Sequence, residues 1–269
     1  MTNCFFILKN IKFKIDSIVI RFNKEGEFPE EKEIQVRLEA VLTTLYLLFN
    51  EGYYSSNASK VLRKDFCLEA MRLTLLLTQY AATNHPKVNA LLSLMCFHAS
   101  RFEARIDKNN ELVDLEHHDR NKYNRDLIIL GNQYLGYAVE QSDDPSISHL
   151  QAAISYCYSI AKSYEEIDWE SILEFYNILI RKQRSTQIIL NRLISYSKVY
   201  GADKALQELY TYKQSANFTD GTLYYAIKSE LLKDLNDVYK SKVALEKAIE
   251  KSNNVLEQRY FAKKITQLA

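Results

Sequence analysis

Chain breakers are scarce in this sequence: its 269 residues include 6 glycines and 3 prolines. A protein of many short strands needs a turn every few residues, so this scarcity excludes one. It leaves long helices joined by short polar turns. An excess of charge of one sign is also lacking, with 35 basic residues against 34 acidic ones. A chain that holds nucleic acid by its phosphates ordinarily carries a basic excess or stripe, so direct nucleic-acid binding is not expected. The four cysteines, Cys4, Cys67, Cys96 and Cys157, show no CxxC spacing. That pattern argues against structural zinc and for a reduced compartment. Long apolar runs are missing too. The apolar start, Cys4-Phe-Phe-Ile-Leu8, is cut short by Lys9, Lys12 and Lys14 and has no small-residue cleavage site, so a cytoplasmic chain without a membrane span is expected. No nucleophile elbow, P-loop, dinucleotide fingerprint or HExxH occurs; no catalytic residue, metal site or cofactor is expected.

What is present is apolar spacing of helical period. Hydrophobic residues make up 47% and charged residues 26%, an ordinary balance for a globular domain. Residues 1–33 stand apart as a diverged or flexible segment, with β-favouring Ile18, Val19 and Ile20 followed by a polar linker. Residues 34–144 are expected to form one helical domain. Ile34, Leu38, Val41, Leu45 and Leu48 mark a helix over about 34–50, which Gly52 ends as a left-handed cap. A second helix runs over about 60–81. Pro86 opens a third, in which Val88, Leu91, Leu92, Met95, Ala99 and Phe102 form an amphipathic stripe. A polar loop over about 106–120 follows, its centre Glu111-Leu-Val-Asp-Leu115 extended across the helices.

Residues 145–269 repeat. Ile172, Tyr176 and Leu179 share their offsets with Ala205, Leu209 and Tyr212, and again with Ser241, Leu245 and Ala248. Tyr225, Ser229 and Leu232 take the first-helix positions of the last unit. The register advances by about 33 and then about 36 residues, near the tetratricopeptide period. The small residues Ala205, Ser241 and Ala248 suit places where two helices approach closely. The expected fold class is all-α: stacked antiparallel helical hairpins in a degenerate tetratricopeptide-like solenoid, whose curved surface suits a protein partner.

Three polar groupings stand out. Asn50, Glu51, Gly52 and Tyr53 are either a recognition corner or a helix end with Tyr53 stacked on the next hairpin. Arg101, Glu103, Arg105, Asp107 and Glu116 bracket the polar loop. Arginine pairs with carboxylates through two parallel hydrogen bonds, so they read either as a network pinning the loop or as a seat for an anionic ligand. His117, His118 and Asp119 carry metal-ligating chemistry, but adjacent histidines in a loop rarely converge without a distant third ligand.

The run Leu45-Tyr-Leu-Leu-Phe-Asn-Glu-Gly-Tyr53 resembles the signature of the helical C-terminal extension of one group of extracytoplasmic-function (ECF) RNA polymerase sigma factors. In order come Arg63-Lys-Asp-Phe-Cys-Leu-Glu-Ala-Met-Arg-Leu73, Lys87-Val-Asn-Ala-Leu-Leu-Ser-Leu-Met95 and Ala99-Ser-Arg-Phe-Glu-Ala-Arg105. Leu150-Gln-Ala-Ala-Ile154, Asp168-Trp169 and Leu190-Asn-Arg192 complete the set. In the loop, Glu116-His-His-Asp119-Arg120 stands where that family tends to have Glu-Asp-Gln-Asp-Arg, and Tyr123 stands at its tryptophan. The resemblance implies a non-catalytic regulatory module that contacts sigma-factor domains or core RNA polymerase. It points to Asn50, Glu51, Gly52, Tyr53, Arg101, Arg105, Glu116, Asp119 and Arg120 as partner-binding residues. Fewer than 40 residues precede the resemblance, too few for the DNA-reading regions 2 and 4, so promoter recognition is not expected. The alternative is a free-standing helical scaffold with another protein partner.

Overall fold

The computed structural model describes residues 31–54, 62–108, 111–140, 142–215, 218 and 220–268. Among them are twelve α-helices, two short 3-10 turns and, as the one β feature, an isolated antiparallel bridge between Ile106 and Leu112. The chain is all-α, with successive helices packed in adjacent pairs. The expectation of a separate segment over 1–33 lies outside the described residues as far as residue 30. Glu31 to Glu33 already belong to the first helix.

Helix α1 (Glu31–Tyr53) and α2 (Lys64–Thr78) form the first hairpin. Gly52 does not end α1 in a left-handed cap. The helix runs through it to Tyr53, and Gly201 is the glycine with positive φ among the described residues. Glycine is needed at 52 for another reason. The start of α2 lies against it: Arg63 N–H donates to the Gly52 carbonyl at 2.7 Å. A Cβ there would sit 2.6 Å from Cys67 Sγ and 2.8 Å from the Arg63 carbonyl oxygen.

Helix α3 (Pro86–Ala99) opens as expected, with His85 as N-cap and Pro86 in the first turn. Its stripe is not amphipathic, however. Eleven of its fourteen residues are buried, including Asn89, Ser93 and Phe97, which lie off that stripe. The reason is tertiary: α3 packs against α1, α2, α5 (Arg125–Glu140) and α6 (Ile147–Ile160), which together leave it no wet face. Phe102 lies beyond a break at Ser100–Arg101, in the one-turn α4 (Phe102–Arg105). Between α3 and α5 the backbones come close at Gly131, whose carbonyl accepts from Ser93 Oγ at 2.7 Å.

The C-terminal helices are α7 (Trp169–Lys182), α8 (Thr186–Tyr200), α9 (Ala202–Lys213), α10 (Thr222–Asp234), α11 (Val238–Lys251) and α12 (Val255–Gln267). The repeat positions fall on matching sites, because Ile172, Leu179, Ala205, Leu209, Ser241, Leu245 and Ala248 are all buried. Ser241 does what its size suggested. Its hydroxyl donates to the Ser229 carbonyl at 3.0 Å, locking α11 onto α10. Asp168, Ser185, Asp237 and Asn254 cap the starts of α7, α8, α11 and α12 by accepting backbone N–H bonds. One core cluster joins α1–α3 and reaches across residue 144 to Ala152 of α6; others follow at α6–α8 and α8–α12.

Two glycines on α5 separate packing from helix propensity. A Cβ at Gly131 would lie 2.9 Å from the ring of the fully buried Phe97, whereas nothing stands within 4 Å of one at Gly136. Gly131→Ala is expected to destabilise by about 1–3 kcal/mol through overpacking, and Gly136→Ala to stabilise by about 0.5–1 kcal/mol. Urea unfolding of both variants gives the comparison, and equal effects would contradict the packing described.

Candidate functional site

Between α4 and α5 the chain forms a strap that reaches α12. Val113 N–H donates to the Arg105 carbonyl at 2.9 Å and Asp107 N–H to the Glu111 carbonyl at 3.0 Å, closing a small hairpin. Short 3-10 turns at Leu115–His117 and Arg120–Lys122 follow. The extended centre expected for this loop is thus confined to its first part.

The strap is held by lysines, not by the arginines the spacing favoured. Lys263 of α12 lies 2.6 Å from Glu111 and 3.8 Å from Asp107. Its neighbour Lys264 reaches Asp114 at 3.4 Å and also pairs with Glu230 of α10. Tyr260 donates to Asp114, and Glu103 pairs with Lys64. The ion pairs of the described residues do not include Arg101, Arg105 or Arg120. Sequence could not show this, since residues 111–114 and 260–264 meet across some 150 positions of chain. Lys264 is also half-enclosed: burial would lower its ammonium, but the negative charge of Glu230 and the other groups around it raises it overall.

The arginines instead converge behind the strap. Arg105 stacks on Tyr53 and Tyr54, its guanidinium carbon 4.0 and 4.3 Å from the two ring centres. The Tyr53 ring meets the His98 ring edge-on at 4.8 Å. Arg101 is only 6% exposed; its Nε donates to the Phe97 carbonyl at 3.3 Å and its Nη2 lies 3.1 Å from His98 Nδ1. From the strap, Arg120 Nη1 donates to the carbonyls of Tyr158 (3.0 Å) and Ala161 (2.8 Å), capping the end of α6. His118 sits 3.0 Å from the Tyr123 hydroxyl and 3.2 Å from the Val113 carbonyl.

This gathering of positive charge sets the local protonation. Burial pushes His118 down to about 4, helped by Arg101, Arg105 and Arg120. Burial and then Arg101 and Arg105 hold His98 well below its ordinary value. Burial alone would raise the Tyr53 phenol, yet Arg105 and Arg101 outweigh it and bring it down. Cys67, Cys96 and Cys157 are buried, and burial lifts their thiols to about 12, 12 and 11, so none is poised as a nucleophile.

Of the residues singled out by sequence, Gly52, Tyr53 and Arg101 lie in the core, Asn50, Glu51, Arg105 and Arg120 are partly buried, and Glu116 and Asp119 are exposed. Tyr53, Arg101, Arg105 and Arg120 come together. Asp119 stays local, accepting from Asn121 N–H at 3.1 Å, while Glu116 faces Tyr164 and Lys198. His117 is exposed and His118 is turned inward; among the described residues no group of three or more metal-ligating side chains forms. His98, Tyr158 and Lys264 were missed. Only His98 carried a signal, standing one helical turn from Arg101 on an apolar helix.

Residues 37–139, which hold Tyr53, His98, Arg101, Arg105, His118 and Arg120, match a family of unknown function (DUF6596). The chain is 32% identical over 244 residues to an uncharacterized protein of Rhizobium meliloti (strain 1021). That alignment takes in 90% of this chain and 56% of the relative, so the chain spans just over half of the relative's length. No solved structure matches it. No helix among the described residues is long and apolar enough to cross a membrane.

Two measurements test the site's electrostatics. His98, His118 and His149 are all depressed when folded, so the unfolded chain takes up protons first, below about pH 6.5. Their contribution to stability is complete above that pH and declines as pH falls toward about 4. Thermal melts at pH 7.5, 6 and 5 should show a falling midpoint, and a flat profile would contradict the assignment. Lys264→Met leaves Asp114 and Glu230 facing each other and is expected to cost on the order of 1–2 kcal/mol. Faster amide exchange in residues 111–118 should accompany that loss.

Proposed function

We propose that this chain is a non-catalytic protein-interaction module that regulates transcription initiation, in the manner of the helical C-terminal extension of ECF sigma factors. The observation that carries the reading is the share of the relative that is matched: the alignment takes in 56% of a longer protein, as it would for one module of a larger whole. The ordered motifs from Leu45 to Arg192 supply the family likeness, and the fold puts its clearest one to structural use. Gly52 admits α2, and Tyr53 seats His98, Phe102 and Arg105.

The stack supports such a role physically. Paired helices make a broad, preorganised surface, and ordering it in advance lowers the entropic cost of association. The exposed acids Glu116 and Asp119 on the strap, beside the exposed His117, are the part of the motif region open to a partner. Promoter recognition is assigned to the partner, consistent with a net charge of +1.

Retention of a purified sigma factor encoded beside this chain, or of core RNA polymerase, on the immobilised 269-residue protein tests the reading. Binding at micromolar concentration is expected. Glu116→Lys with Asp119→Lys should weaken it at least tenfold without lowering the melting temperature. If neither protein is retained, the transcription reading fails and a scaffold with some other partner takes its place.

A further inference from the structure

Buried and partly buried arginines with no carboxylate partner among the described residues are the feature that neither the fold nor the proposed role absorbs. Arg101, Arg105 and Arg120 come from α3–α4 and the strap and form one connected set. Arg105 lies on Tyr53, Tyr53 on His98, and His98 against Arg101. The Arg101 guanidinium lies 5.8 Å from the Tyr158 ring centre, and the Tyr158 carbonyl accepts from Arg120. All three act on one imidazole, that of His118.

Among the described residues their partners are carbonyl oxygens, aromatic ring faces, the His98 ring nitrogen and, for Arg105, the Tyr53 and Tyr54 side chains, none of them a carboxylate. The acids nearest in sequence are engaged elsewhere: Glu103 with Lys64, Asp107 and Glu111 with Lys263, Asp114 with Lys264. Glu165, the carboxylate that senses Arg120, is fully exposed and feels it only as the weakest of its influences. Two guanidinium nitrogens, Arg105 Nε and Arg120 Nη2, are buried with no hydrogen-bond acceptor. A buried donor left unmade carries the full desolvation penalty, larger still when it is charged. Both arginines nonetheless keep part of their surface open, and Tyr54, stacked on Arg105, is 63% exposed.

The geometry points to a binding site for a phosphoryl group, formed by Arg101, Arg105 and Arg120 behind the strap. Three cations outmatch a single carboxylate. A phosphoryl dianion brings two charges and several acceptor oxygens, and it suits the planar donor fork of arginine. The source is either free phosphate or a small phosphomonoester whose organic part lies on the Tyr54 ring. Because Arg105 and Arg120 bear the two ends of the strap, occupancy would tighten the strap against α4 and α6. The site would then give the module a chemical input. This inference does not depend on the transcription reading.

Calorimetry and thermal melts of the 269-residue chain with sodium phosphate, phenyl phosphate and sodium acetate, at ionic strength matched with chloride, decide it. Both phosphoryl compounds should bind and raise the melting temperature, and acetate should be at least tenfold weaker. Tighter binding of phenyl phosphate assigns a monoester, and equal binding assigns free phosphate; either supports the site. Arg105→Gln and Arg120→Gln should each weaken phosphate at least tenfold, with Lys87→Gln on the far side of the first core unchanged. Should one arginine variant fail to fold, the other and the wild-type titration carry the test. No binding by the wild type, acetate as tight as phosphate, or a folded arginine variant within twofold of wild type would overturn the proposal.

Discussion

Helix α3 is surrounded by α1, α2, α5 and α6, and their positions follow from the need to cover it. An apolar helix with no wet face gains stability only when every side is packed, so neighbours must arrive from all directions. Glycines appear where they come closest: Gly52 admits the start of α2 near α1, and Gly131 brings α5 onto Phe97. The polar atoms on the helix are met inside, with Ser93 donating to the Gly131 carbonyl and Asn89 to the Asn84 side chain. Arg101 and Arg105 follow the end of this helix, so their placement depends on the most deeply buried helix of the described residues.

Much of this architecture was legible in the residues. Helix starts were marked by Pro86 and Asp168, and the spaced small residues at Ala205, Ser241 and Ala248 do sit in the core. These signals are local, written within one or two turns. Where the reading went astray, the deciding partner was distant. The α3 stripe was read as one-sided because its other faces are covered by helices 40 to 60 residues further on. Gly52 was read as a cap because Gly after a polar pair commonly ends a helix, whereas its carbonyl here receives Arg63.

The candidate site shows the same division. That Arg101 and Arg105 matter to the loop could be read from their spacing about it; Arg120 was marked by the family likeness alone, and the three do gather there. Which charges they meet could not. Arginine and acid at short separation suggest a pair, yet the acids are taken by Lys64, Lys263 and Lys264, and the arginines are left to aromatic faces and carbonyls. Composition could not reveal the outcome, because a net charge near zero hides a basic interior behind an acidic strap.

The contact between that strap and the final helix changes what kind of array this is. In an open solenoid each unit touches only its neighbours, and a terminal pair can fray while the middle stays folded. Here Tyr260, Lys263 and Lys264 clasp Asp107, Glu111 and Asp114, joining α12 to the first half of the chain like the buckle of a belt. Loosening at the C-terminal end is thereby transmitted to the strap, and through it to Arg120 at the end of α6. Events at one extremity of the sequence are felt in the middle without any change propagating helix by helix.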